Sequence, residues 1–211
     1  MNNDTKSKEI GSTNAFKVDW AYEGRPNLMV GVGATLAEKL FMYAGSLLLV
    51  SWFVADLSSE HIAWPVWQWV VAVAVCADIG GGVVANSLNS CKRFYHNPIG
   101  AGDGVVTRIL KRPMLFTAFH VHTIIVSWIW DPKILMVGIG WYAALLAATF
   151  VTLKVPVYLQ RPTGILFATV AIVATTRLPA VAQFEWLPGL IFIKLVIGHA
   201  VREEPYRPSR Q

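Results

Sequence analysis

The chain has 211 residues, of which 55% are hydrophobic and 15% charged, and its net charge is +5. Mean hydropathy is +0.48. Soluble domains carry roughly 25% charged residues, and disorder requires few apolar residues, so neither class fits; basic residues set between apolar runs also argue against a nucleic-acid module and for membrane topology.

The first 35 residues are polar and of mixed charge. They lack the apolar core and small-residue cleavage site of a signal peptide and read as a cytosolic tail. Asn2-Asn3-Asp4 is no myristoylation start, and the final Pro-Ser-Arg-Gln is no prenylation box.

Six apolar runs follow, at 40–55, 62–89, 113–130, 134–153, 162–176 and 186–201. A hydrocarbon core about 30 Å thick takes about 20 helical residues to cross. The first run can extend back through 35–39, the second is interrupted only by Asp78, and the sixth contains one charge, Lys194. The fifth is short and the one most easily merged or lost. No run alternates with period two, which disfavours a β-barrel. The expected fold is all-α, a polytopic integral membrane bundle of about six transmembrane helices. It divides into a tail at 1–35, a bundle at 36–202 with a loop at 87–113, and a tail at 203–211. Asp131-Pro132, Pro156 and Pro162 mark connections, where proline ends one helix or begins the next. Trp64, Trp67, Trp69, Trp128, Trp130 and Trp186 fall near helix ends on one side, the place of an aromatic belt.

Fifteen of the eighteen Lys and Arg lie on one side of these runs, in the N-terminal segment through Lys39, the 87–113 loop, the 154–161 connector and the C-terminal tail. Only Lys133 and Arg177 lie on the other side. The positive-inside rule then puts both termini in the cytosol and the protein in a plasma or bacterial-type inner membrane. Cys76 and Cys91 are fifteen residues apart with no metal-type spacing, and read as plain thiols.

Ionisable groups inside a bilayer are costly and mark candidate sites. At 1.5 Å per residue, Asp78, His120 and His199 each lie about 20 Å from the outer edge, and Lys194 about 12 Å. Asp78, Gly82, Asn86, Asn89, Arg93 and His96 share one stripe if the second helix continues that far; Gly80-Gly81-Gly82 would permit close helix packing. His199, Arg202 and Glu203 share a face of the sixth helix. His120 and His122 are about 200° apart on a regular helix, so one of them, His120, is expected to face inward. Each histidine also has a plain reading as a hydrogen-bonded structural residue, and the 199–203 group as an interfacial ion cluster. A lysine in the final helix suggests a retinal-type Schiff base, but with six runs and no carboxylate at its own depth that reading is set aside, and snorkelling or a contact with a carbonyl or Tyr142 is expected. The Gly-rich stretch 99–106 has the composition of a lid or a connector, and Arg108, Lys111 and Arg112 suit lipid phosphates. His61 reads as surface.

Three functions suit this pattern. The favoured one is an intramembrane enzyme acting on a lipid or other amphiphile at the cytosolic leaflet, as a metal-assisted hydrolase or an oxidoreductase. Its candidate catalytic groups are Asp78, His96, His199 and Glu203, imidazoles and carboxylates suited to acid–base work. His96, His120, His199 and Asp78 are candidate ligands for Zn or Fe. Asn86, Asn89, Ser90, Arg93 and Arg202 are candidates for holding a polar headgroup. There is no HExxH, eight-histidine desaturase pattern or GxSxG. The alternatives are a proton-coupled transporter or carrier, and a haem-binding or assembly subunit with His120 and His199 as axial ligands. Expected partners are membrane lipids and a homo-oligomer or larger membrane complex, with no nucleic acid.

Overall fold

The first long helix starts where its capping chemistry starts. Thr35 accepts from the Glu38 backbone N–H, and Glu38 reaches back to Thr35 N at 2.7 Å, so each satisfies an orphan donor of the first turn. In the computed structural model, which describes residues 16–22 and 26–208, this helix is α1, Leu36–Ser59. Helix α2, Val66–Ser87, begins directly after Pro65. Five helical spans are long and apolar enough to cross a bilayer: α1, α2, Pro113–Trp130, Pro132–Lys154 and Val157–Thr175. A sixth apolar helix, Leu187–Ala200, is shorter. The chain is thus an all-α helical bundle of membrane type.

Four details depart from the expected spans. Leu88 is extended (φ −69°, ψ 144°), so α2 stops there and a separate short helix, α3 at Asn89–Tyr95, follows. The stripe from Asp78 to His96 is therefore broken at its middle. After α4 at Val105–Leu110, the third span divides into α5, Pro113–Ala118, and α6, His122–Trp130. The Tyr142 hydroxyl donates to Ala118 O at 2.8 Å, occupying a carbonyl at the break. The fourth span contains α7, Leu135–Lys154. The fifth, α8, starts at Val157 rather than at Pro162, which lies inside it; the five extra residues give it the length to span. The sixth begins as α9, Leu187–Phe192, and runs on as a π-helix, Ile193–Ala200.

That last helix is the centre of the bundle. It packs against α2, α5, α7 and α8, and Leu195, Val196, Gly198 and Ala200 are buried. Protein rather than lipid surrounds it, so a length below a full span is tolerated. Helices α1 and α2 pack backbone to backbone, since a Cβ on Gly45 would lie 2.7 Å from Gly80 O, which is how small residues drive association in lipid. The tryptophans divide into two groups. Trp67 and Trp128 are exposed, as a belt requires. Trp64, Trp69, Trp130 and Trp186 turn inward, where Trp64 stacks on Phe184 at 6.1 Å and meets Trp130 at 5.2 Å.

The two described ends of the chain meet. Strand β1, Phe16–Val18, pairs antiparallel with β2, Tyr206–Pro208, so both ends lie on the same side of the bundle. The segment preceding α1 is more than a tail: Val30 and Val32 are buried against Met42, Cys91, Phe94 and Tyr95.

Candidate functional site

Between the α1–α2 pair and the α5–α6 span lies a cavity of about 260 Å³. Asp78, Gly82 and Asn86 from α2 form one wall, Phe116 and His120 another, and Lys194 of the last helix the floor. Leu28, Met29, Met42 and Leu110 make the rest largely apolar.

Two cationic or basic side chains meet on one oxygen of the cavity wall. Asp78 Oδ2 accepts from Lys194 Nζ at 2.5 Å and pairs with His122 Nε2 at 3.1 Å. Lys194 also donates to Asp78 O at 3.2 Å. Its side chain is 2% exposed whereas that of Asp78 is 47% exposed, so the carboxylate faces the open space and the ammonium lies behind it. Gly82 makes the arrangement possible, because a Cβ there would run into Lys194 Cε and Nζ. Asn86 holds the floor in place, donating to Lys194 O at 3.0 Å and accepting from Tyr95 Oη at 2.9 Å.

The break between α5 and α6 decides the histidines. His120 Nδ1 lies 2.7 Å from Phe116 O. A carbonyl only accepts, so Nδ1 carries the proton of the neutral ring and Nε2 is its basic nitrogen. His122 lies with its ring centroid 5.4 Å from that of His120 and reaches Asp78. Irregular backbone thus lets two histidines at i and i+2 serve one site, where a regular helix would have turned one away.

His199 is elsewhere. It is fully buried, with the rings of Tyr95 and Phe116 at 4.1 and 4.2 Å, and it does not line the cavity. Neither of its ring nitrogens has a hydrogen-bond partner among the described residues. His96 ends α3, outside the spans, and its buried Nε2 has no hydrogen-bond partner among the described residues; burial pulls it down to about 4. Glu203 bonds Arg161 Nε at 2.8 Å and pairs with Lys92 at 3.4 Å. Since the helix ends at Ala200, the expected face shared by His199, Arg202 and Glu203 does not form.

Of the residues expected to hold a headgroup, only Asn86 lines the cavity. Asn89 accepts from Tyr206 N, and Ser90 N donates to Glu38. Arg202 lies over the Trp20 ring at 5.3 Å. Arg93 is buried and donates to Asp19 O at 2.7 Å and Val32 O at 2.8 Å, tying the N-terminal segment down. Its neighbour Lys92 donates to Gly198 O at 2.6 Å and Val201 O at 2.8 Å, a cation on the open carbonyls of a helix C-terminus. Both cysteines are free and buried; burial pushes the Cys91 thiol up to about 12.

Among the described residues, no three His, Cys, Asp or Glu side chains form a group that could hold a metal ion. The four expected ligands are divided: Asp78 and His120 line the cavity, while His96 and His199 do not. The donor set therefore does not fit a Zn or Fe centre. Nor do His120 and His199 bracket a common space for haem, since both rings press on the one Phe116 phenyl, at 4.4 and 4.2 Å.

Sequence reasoning weighed Lys194 and His122 but left both out of the site. A signal for the first was present: Asp78 and Lys194 are the only charges in their two apolar runs, and two lone opposite charges in a bundle find each other. No family model matches the chain, and neither a curated protein nor a solved structure matches it.

Proposed function

We propose that the protein is an intramembrane enzyme that takes an amphiphile into this cavity and carries out metal-free acid–base chemistry on its polar end. One observation carries the reading: Asp78 Oδ2 receives both Lys194 and His122 at the wall of an otherwise largely apolar cavity. A small number of convergent polar groups in an apolar pocket is the usual form of a ligand site. An intramembrane ion pair facing a cavity is a functional site by default, because the bilayer makes it costly to keep.

The roles follow from the geometry. Apolar walls at Met42, Leu110 and Phe116 take the hydrocarbon part, and methionines adapt to irregular chains. His120 Nε2 is the base available at the cavity wall. His122 and Lys194 orient Asp78, so that it can receive or stabilise positive charge that develops on the substrate. Fifteen Lys and Arg on the side that carries both termini support a cytosolic placement of that side, and the cavity then serves the inner leaflet.

The test is comparative lipid analysis. Membranes of cells producing the wild-type protein, Asp78→Asn or His120→Gln are extracted and compared by mass spectrometry. The reading requires one amphiphile species depleted and another raised only with the wild type. Three identical extracts would remove it.

A further inference from the structure

We infer that Lys194 is a covalent site, whose amine condenses with an aldehyde at the end of an apolar chain to form an imine with Asp78 as its counter-ion. The inference rests on the cavity reading above and names a substrate class for it. Lys194 is an amine at the floor of a cavity walled mainly by apolar side chains, and desolvated lysines in such pockets are the ones that act on carbonyl groups. An imine formed there carries positive charge on nitrogen, and the group already placed to balance it is Asp78 Oδ2, 2.5 Å from Nζ. Gly82 supports the same use. It leaves the outer end of Lys194 lying against a helix backbone without a side chain in the way, and both residues line the cavity.

Neighbouring groups also supply the proton steps. The Lys194 ammonium gives one proton to Asp78, which shares the same oxygen with His122. The freed lone pair attacks the carbonyl carbon, the carbonyl π pair moves to oxygen, and that oxygen takes up the proton. The carbinolamine nitrogen loses its second proton to His120 Nε2. A proton returned to the hydroxyl then lets water leave as the C–N double bond forms. One water is released per imine, the imine nitrogen is protonated, and no oxidant or reductant is consumed. Hydrolysis by the reverse path frees the lysine.

The probe is a long-chain saturated aldehyde added to the purified full-length protein in detergent, with cyanoborohydride to fix any imine as a secondary amine. Peptide mapping of the wild type is expected to find the adduct on Lys194, with a mass gain of the aldehyde less one oxygen, ahead of every other lysine at substoichiometric aldehyde. Asp78→Asn is expected to slow labelling at least tenfold. The primary alcohol of the same chain, which binds but cannot condense, is expected to compete. Labelling spread evenly over exposed lysines, with Lys194 unmodified, overturns the imine. If the alcohol still displaces a photoreactive amphiphile from the cavity in that case, the cavity reading stands alone; if neither compound displaces it, both fail.

Discussion

Lys194 and Asp78 are 116 residues apart in the chain and 2.5 Å apart in the fold. The lysine is all but fully buried and the aspartate is half exposed to the cavity, so the two are not equivalent. Loss of the aspartate leaves an unbalanced ammonium in the bundle. Loss of the lysine leaves a carboxylate that still has His122 and access to the open space.

That asymmetry sets the first prediction. Breaking a buried pair costs about 3–5 kcal/mol, and Asp78→Asn is expected near the lower end of that range. Lys194→Met is expected to cost clearly less. The double variant, with no charge left to balance, should recover most of the loss. Thermal unfolding in one detergent ranks the three; equal melting temperatures for the two single variants would show that the pair is not arranged as described.

Gly82 and Gly140 offer a matched pair. A Cβ on Gly82 meets Lys194, whereas one on Gly140 meets nothing within 4 Å. Gly82→Ala should cost about 1–3 kcal/mol as an overpacked site and move the lysine from the carboxylate. Gly140→Ala should be neutral or stabilise by up to about 1 kcal/mol through helix propensity. The same unfolding assay reads both, and a reversed order would count against the packing around Lys194.

His96 predicts a pH response. Its folded value, about 4, lies below the ordinary 6.5 because burial disfavours the cation. Above 6.5 the ring is neutral in both states and stability is unaffected. As pH falls from 6.5 toward 4, only the unfolded chain takes up the proton, and the fold loses about 3 kcal/mol at most. His96→Gln should flatten the melting temperature across that window relative to wild type. A parallel pair of curves would show that the ring protonates freely in the fold.

Arg93 spans two backbone carbonyls, Asp19 O and Val32 O, from one guanidinium. An ammonium cannot reproduce that fork. Arg93→Lys should therefore speed proteolysis within residues 19–35 several-fold while leaving the spans protected. Unchanged cleavage would mean that β1–β2 pairing and the burial of Val30 and Val32 hold the segment without the guanidinium.

The bundle was legible because hydropathy records burial in lipid directly: runs near 20 residues long mark helices without any knowledge of their neighbours. The site was legible only in part. Asp78 and His120 stood out as polar groups in apolar runs, and both line the cavity. His122 did not, because the sequence around the break, Ala118 to His122, contains neither Gly nor Pro to announce it. Depth arithmetic put Lys194 about 10 Å from the level of Asp78 and so hid the pair. That arithmetic compared backbone levels, whereas the Lys194 side chain is long enough to reach the Asp78 carboxylate from another level. His199 and Glu203 were paired by α-helical spacing, and the extended backbone at Val201 removes that spacing.

Photolabelling tests the central claim most directly. An amphiphile with a photoreactive group in its alkyl chain is irradiated with the purified protein, and labelled residues are mapped by mass spectrometry. The account predicts saturable labelling of the cavity walls at Met42 and Phe116, lost in Ala85→Trp, since Ala85 also lines the cavity and the indole fills the space. Labels confined to the outward faces of α1 and α8, and unchanged in Ala85→Trp, would contradict it.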